Sequence, residues 1–325
     1  MSDALLTPDT RIHLAGHRGL VGSALLRALE AGGFRQVITR THAELDLGDP
    51  AATDRFYAEE RPDVVFLAAA KVGGIHANNS YPADFIRANL AIELSVIEAA
   101  RRHGIERLIF LGSSCIYPRD CPQPMRESHL LSGPLEATNR PYALAKIAGI
   151  ELCSACNRQY GTRFLAVMPT NLYGPGDNYD LDNAHVLPAL IRKLHEAKVG
   201  GAAEVVVWGS GTPRREFLYS DDLAAACLFL AGLDDARFDA LLTDGEFPLV
   251  NVGVGKDLTV RELAELAAAV VGYDGALVQD RSRPDGTPRK LLDVSKMEAL
   301  GWRATVSLRE GIARAYADFL AHGAR

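Results

Sequence analysis

Gly16, Gly19 and Gly22 follow a short apolar run at 11–14 and open an alanine- and leucine-rich stretch at 20–31. A glycine turn with a strand before it and a helix after it constrains the chain more than any other feature, because it commits the start to a β-turn-α unit. Glycines let the backbone bend sharply and approach a pyrophosphate, which the free N–H groups of the helix's first turn then hold. The turn reads Gly16-His17-Arg18-Gly19-Leu20-Val21-Gly22, a G-x-x-G-x-x-G spacing that differs from the G-x-G-x-x-G of the dehydrogenase fingerprint.

The same rhythm continues downstream. Strands are predicted at 36–39, 64–67, 108–111 and 164–167, and helices at 53–60, 82–102 and 142–160. The connections are too long for hairpins, so they imply right-handed crossovers and a parallel sheet. After about residue 175 the pattern loosens into loops at 176–184 and 279–290, short apolar runs such as 205–207, and helices. Thr259-x-x-Glu262 and Ser307-x-x-Glu310 each fit a capping box at a helix start. The expectation is an α/β chain with a Rossmann-like, doubly wound parallel sheet and a smaller mixed α/β substrate-binding domain. Residues 1–175 form the nucleotide domain and 176–325 the discontinuous second one, the chain returning to the first around 205–225 and 249–272.

Composition narrows the functional classes. A net charge of −6 disfavours nucleic acid or an anionic membrane as a partner. No apolar run approaches the roughly 20 residues a membrane span needs. The N-terminus lacks the basic and apolar segments of an export signal, and five scattered cysteines make no disulfide framework, so a reducing cytoplasm is expected. Cys153-x-x-Cys156 lies inside a helical stretch with no matching pair elsewhere, and no metal is expected.

Which dinucleotide would bind follows from the second strand's end. NAD sites place an acid there for the ribose 2′-hydroxyl. This chain has Thr39-Arg40-Thr41-His42 instead, with Arg18 in the glycine turn, which favours the 2′-phosphate of NADP. Asp46 is placed to accept from an adenine amino group or to charge the start of the next helix. Farther on, Tyr142 and Lys146 form Y-x-x-x-K, two residues on one helical face, so a phenol and an ammonium can address the same cofactor. A nearby cation is expected to lower the phenol's pKa. Ser113 and Ser114 follow the fourth strand.

Glycine turn, serine and Y-x-x-x-K together resemble the extended short-chain dehydrogenase/reductases. Longer strings are similar to the GDP-L-fucose synthase family within them: 15–22 (AGHRGLVG), 68–75 (AAAKVGGI), 112–118 (GSSCIYP), 141–149 (PYALAKIAG), 168–174 (MPTNLYG), 206–217 (VVWGSGTPRREF) and 284–293 (PDGTPRKLLD). They run in family order along nearly the whole chain. The resemblance implies a homodimer acting with NADPH on GDP-4-keto-6-deoxy-D-mannose, which it epimerises at C3 and C5 and reduces at C4.

Roles follow from the same resemblance. Tyr142 would be the acid of the reduction, Lys146 would hold the ribose, and Ser113 would bond the carbonyl. Cys115 and His185 would be the epimerisation pair, either one being base or acid. Leu111, Gly112, Pro169, Thr170, Asn171 and Leu172 would line the cofactor together with Arg40, His42, Asp46 and His185. Lys193, Trp208, Arg215, Asp285 and Lys290 would face the nucleotide sugar. His42 and Lys193 stand where the family carries arginine.

The chemistry suits these residue types. A C4 carbonyl acidifies the neighbouring C–H bonds, so inversion needs a base and an acid, and a thiolate serves once its pKa is lowered. An imidazole titrates near neutrality. Two other readings stand at this point: an NAD-dependent 4-epimerase, which needs no Cys/His pair, and a nucleotide sensor that has lost catalysis.

Overall fold

The computed structural model describes residues 6–181, 184–282 and 285–323. Met1–Leu5, and Pro284 at the head of the last family string, lie outside them. The first half runs β1 (Arg11–Ala15), α1 (Leu20–Ala31), β2 (Gln36–Ile38), α2 (Pro50–Glu60), β3 (Val64–Leu67), α3 (Ile75–Ser80), α4 (Pro82–Arg102), β4 (Arg107–Leu111), α5 (Arg140–Tyr160) and β5 (Phe164–Pro169). The ends differ from the sequence reading by no more than a helical turn. The largest difference is the start of α2, where Asp49 accepts from Ala51 and Ala52 N–H and Pro50 takes the first helical position.

The second half continues with β6 (Asn171–Tyr173), α6 (Val186–Gly200), β7 (Glu204–Trp208), β8 (Arg214–Arg215), β9 (Phe217–Tyr219), α7 (Ser220–Ala231), α8 (Asp235–Thr243) and β10 (Leu249–Val252). It ends with β11 (Leu258–Thr259), α9 (Val260–Val271), β12 (Ala276–Asp280), β13 (Arg289–Lys290), α10 (Ser295–Ala299) and α11 (Leu308–His322).

Six strands form one sheet in the order β10-β5-β4-β3-β1-β2, every neighbouring pair parallel. Alternate residues of each strand enter opposite layers. Val65, Leu67, Leu108 and Phe110 pack with Val96 of α4 and Ile150 of α5. Val64, Phe66, Ile109 and Leu111 pack with Leu25 of α1 and Leu223 of α7. Both faces are therefore covered, which explains strands that are apolar throughout rather than alternating. A third core, built on α6, α9, α11 and β7, belongs to the substrate side.

The chain's return to the main sheet uses other stretches than expected. α7, α8, β10 and α10 rejoin it: α7 packs on α1 and β4, α8 on β5 and β10, α10 on β10, and β10 pairs with β5. β7 and α9, inside the stretches expected to return, stay on the substrate side, β7 with β12 and α9 with α6 and α11. Burial gives the reason. β10 is buried at every position, whereas β7 alternates exposed and buried and suits a sheet with one wet face. The box at Thr259 closes reciprocally with Glu262. At Ser307 only the hydroxyl half forms, because Arg314 takes the Glu310 carboxylate at 2.6 Å.

Candidate active site

A cleft of 920 Å³ opens beyond the sheet where connections from β1 and β3 leave on opposite sides, the position at which doubly wound sheets bind ligands. Every residue expected around the cofactor lines it: the turn at 16–22, Arg40, His42, Asp46, Leu111, Gly112, Lys146, Pro169, Thr170, Asn171, Leu172 and His185. Gly16 has φ +88°, and a Cβ there would sit 2.7 Å from the Ala69 nitrogen. A Cβ on Gly22 would strike the Gly16 carbonyl at 2.0 Å. Gly19 differs, since its nearest neighbour would be 3.6 Å away. Its bareness leaves room for a ligand over α1, whose N-terminus carries no side-chain cap. Open N–H groups, a bare cradle and adjacent Arg18 suit a dinucleotide pyrophosphate.

At the far end of the cleft, Arg40 donates to the Thr39 carbonyl at 2.8 Å and to Glu60 at 2.6 Å, and lies over the Phe56 ring. His42 is exposed and 3.6 Å from Asp46. Asp46 accepts from Gly48 N–H at 2.8 Å, so it shapes the turn before α2, while the capping position falls to Asp49.

Tyr142, Lys146 and Ser113 meet on the cleft's inner wall. α5 begins at Arg140 with Pro141 in its first turn, which places Tyr142 near the helix start and Lys146 one turn deeper. The Lys146 ammonium is 5.9 Å from the centre of the Tyr142 ring and 4.6 Å from that of Phe110. The expected fall in the phenol's pKa does not occur. Burial, reinforced by the nearby Cys115 and the Glu93 carboxylate, pushes Tyr142 well above the ordinary phenol range, and a hydrogen bond with Ser113 offsets this only in part.

Cys115 lies just beyond, in a small recess that it shares with Lys290, Gln123 and Glu136; Ser114 borders both recess and cleft. Its backbone N–H reaches the Ser113 hydroxyl at 3.4 Å. The thiol was expected to be activated, yet burial raises its pKa, with Ser113, Lys290 and Lys146 pulling the other way. His185 caps the start of α6 in the cleft, and the surrounding protein lowers its pKa, which favours neutral imidazole.

The residues expected at the nucleotide sugar gather on the facing side. Arg215 and Lys290 are register partners across β8 and β13. Burial disfavours the charge on both; the Arg215 charge adds to this at Lys290, while Asp285 offsets it in part at Arg215. Asp285 accepts from the Ser210 N–H at 2.9 Å and from its hydroxyl at 2.7 Å, fixing the loop after β7. Trp208 is 56% exposed with the Lys193 ammonium 4.7 Å from its ring centre, an open platform rather than core.

Sequence reasoning missed Glu93, Glu216 and Lys71. Glu93 reaches Lys146 at 3.1 Å with both side chains buried. Burial pushes its carboxyl up to about 7, against the pull of the ammonium. The available signal was periodic: Phe85, Asn89, Glu93 and Ile97 share the buried stripe of α4, where a carboxylate needs a partner. Glu216 is wholly buried and accepts from Val254, Gly255 and Leu292 N–H at 2.6, 2.7 and 2.9 Å. Lys71 lines the cleft and lies 3.8 Å from Asp84.

Comparison with known proteins agrees with this geometry. The model of the NAD dependent epimerase/dehydratase family matches residues 12–238. GDP-L-fucose synthase 1 of Arabidopsis thaliana is 56% identical over 312 residues, 96% of this chain and 94% of its own. GDP-L-fucose synthase of Escherichia coli (strain K12) is 55% identical over 312 residues, 95% of this chain and 96% of its own. Among solved structures, a GDP-L-fucose synthetase from Naegleria fowleri bound to NADP superposes with a TM-score of 0.87 at 27% identity, covering 98% of this chain and 96% of that one.

Proposed function

The chain belongs to the NAD dependent epimerase/dehydratase family, and we propose that within it the protein converts GDP-4-keto-6-deoxy-D-mannose to GDP-L-fucose with NADPH. The observation that carries this reading is that the site holds proton-transfer groups beyond those a reduction uses. Ser113, Tyr142 and Lys146 form the first set and line the cleft together with His185, while Cys115 lines the adjoining recess beside Lys290. A reductase alone needs only the first set, and so does a 4-epimerase.

In this reading NADPH supplies hydride to C4. Gly16–Gly22 and Arg18 seat its pyrophosphate, Arg40 and His42 meet the 2′-phosphate, Asp46 meets the adenine, and Leu111, Gly112 and 169–172 enclose the nicotinamide side. Lys146 holds the ribose. Ser113 and Tyr142 hydrogen-bond the sugar's carbonyl oxygen, stabilising the charge that develops when C3 or C5 loses its proton. Cys115 and His185 exchange those protons, one withdrawing and the other returning. Tyr142 finally gives its phenolic proton to O4.

Arg215 and Lys290 are two cations in close register whose charges burial disfavours, and a diphosphate would relieve both. Lys193 adds a third positive charge, Trp208 offers a face for the base, and Asp285 holds the loop that shapes the rim.

Two coarser features extend the proposal. α4 and α5 pack together yet expose Leu90, Leu94 and Leu144, an apolar face suited to a symmetric homodimer of four helices. Light scattering at micromolar concentration returning a monomer mass would remove that part. Among the described residues no helix is long and apolar enough to cross a membrane, and all five cysteines are free, which fits a reducing cytoplasm.

The test is to follow nicotinamide absorbance with NADPH and the GDP-keto sugar, in heavy water. Wild type should consume NADPH and release a 6-deoxy sugar carrying deuterium at C3 and C5. Cys115→Ser should lose that exchange, and Tyr142→Phe should lose reduction while keeping it. NADPH binding without turnover would refute the substrate assignment and leave the fold untouched.

A further inference from the structure

A buried ion pair sits under the catalytic wall, and its acid, Glu93, has no part in the steps above. Lys146 and Glu93 approach to 3.1 Å with side chains each 2% exposed. Their meeting depends on Gly149, where a Cβ would fall 3.0 Å from the Glu93 carboxylate and 2.6 Å from the Phe110 ring. Glu93 has no hydrogen-bond donor other than that ammonium among the described residues. A carboxylate held in this way is costly unless its charge is used.

Its neighbours show the use. On α5 the titratable groups in its field are Lys146, Tyr142 and Cys153; β4 presents only the Phe110 ring, and Asn89 on α4 is occupied with the backbone of Lys71 and Phe85. An unpaired ammonium 5.9 Å from a phenol ring would favour phenolate. With a carboxylate 3.1 Å behind it, the ammonium presents the phenol with a dipole, whose field falls away faster than that of a charge.

We propose that Glu93 is a positioning residue: it holds Lys146 from beneath and, by offsetting that charge, keeps Tyr142 a phenol, so that this site donates a proton in reduction rather than accepting one in oxidation. The proposal deepens the reductive reading above. Geometry supports both halves. Lys146 lines the cleft, and the Glu93 carboxylate 3.1 Å from its ammonium fixes that end while the Tyr142 ring lies 5.9 Å away. The rise in the Tyr142 pKa, in which Glu93 takes part, is in keeping with this.

The direct test needs no sugar. Tyrosinate absorbance is titrated in wild type and Glu93→Gln, each with a matching Tyr142→Phe partner, so that the difference isolates Tyr142 from the other tyrosines. In Glu93→Gln the Tyr142 step should move down by about one pH unit or more. NADPH affinity, read by fluorescence, should stay within about threefold, since the amide oxygen still accepts from the ammonium and holds it in place without the charge. Glu93→Asp, which keeps the charge but draws it back, should move the step less. A step unmoved in Glu93→Gln overturns the proposal, as does an equal shift in both variants. If Glu93→Gln does not fold, Glu93→Asp decides: a downward shift supports the proposal and an unmoved step overturns it. A protein that reduces no keto sugar yet shows the shift would sink the functional reading and leave this one standing.

Discussion

Arg107 donates to Asp235 at 2.7 Å from a guanidinium that is otherwise sealed from solvent. Its other terminal nitrogen bonds the carbonyls of Ala231 and Leu233 at 2.7 and 2.5 Å, and its plane covers the Phe238 ring at 4.3 Å. The first residue of β4 thus binds the end of α7 and the start of α8, joining the central sheet to the segment that returns from the second half.

Removing Arg107 therefore leaves two buried carbonyls without donors, whereas removing Asp235 leaves them satisfied. Arg107→Ala should cost about 3 kcal/mol of stability. Asp235→Ala should cost less than that but still destabilise, because the sealed guanidinium keeps both carbonyls yet loses its carboxylate. Urea denaturation midpoints of the two variants check the ordering.

Asp177 offers a pH test. Its Oδ1 accepts from Asn178 N–H at 2.8 Å, but Oδ2 has no hydrogen-bond partner among the described residues, and burial pushes the carboxyl up to about 7. A pKa raised on folding contributes stability that is full below the unfolded value and lost as pH rises through the folded one. Asp177→Asn keeps the acceptor and removes the charge. Its melting temperature should exceed that of wild type at pH 8, and the gap should close or reverse at pH 5.

Glu216 gathers three N–H groups from the loop after β10 and the strand end after Lys290. Glu216→Gln turns one acceptor into a donor facing a backbone N–H. Arg215 and Lys290 should lose their register, raising KM for the GDP-sugar about tenfold or more. NADPH affinity should change less, because the contact of Glu216 with the cleft residues Thr170 and Asn171 runs through its backbone carbonyl, which the substitution keeps; steady-state kinetics with a cofactor titration separates the two.

His42 points into solvent beside Asp46, and an imidazole lacks the forked donors with which a guanidinium grips a phosphate. His42→Arg should raise the preference for NADPH over NADH by about fivefold at pH 8. The ratio of kcat/KM for the two cofactors reads this directly.

The parts of this protein that were legible beforehand are those whose logic is local. Gly16, Gly19 and Gly22 sit within one turn, and Tyr142 and Lys146 within another, so spacing alone places them. Glu93 was hidden because its partner lies 53 positions away (146 − 93) on a different helix. The Tyr142 pKa moves opposite to the direction its spacing predicts for a related reason: a cation four residues away is visible in a sequence, but the burial that outweighs it is not. β7 stays on the substrate side, although 205–225 was expected to return to the nucleotide domain, because an apolar run does not announce that one face stays wet.

The pairing of β10 with β5 bears on how the chain is made. Synthesis runs from the N-terminus, yet the edge of the main sheet beside β5 is supplied by residues 249–252. Until that stretch leaves the ribosome, β5 is an open, wholly apolar edge, the kind of surface that recruits other strands. The nascent chain must therefore carry an unfinished nucleotide fold from the synthesis of β5 until that of β10, and holdase chaperones should find their target there, released when this strand docks.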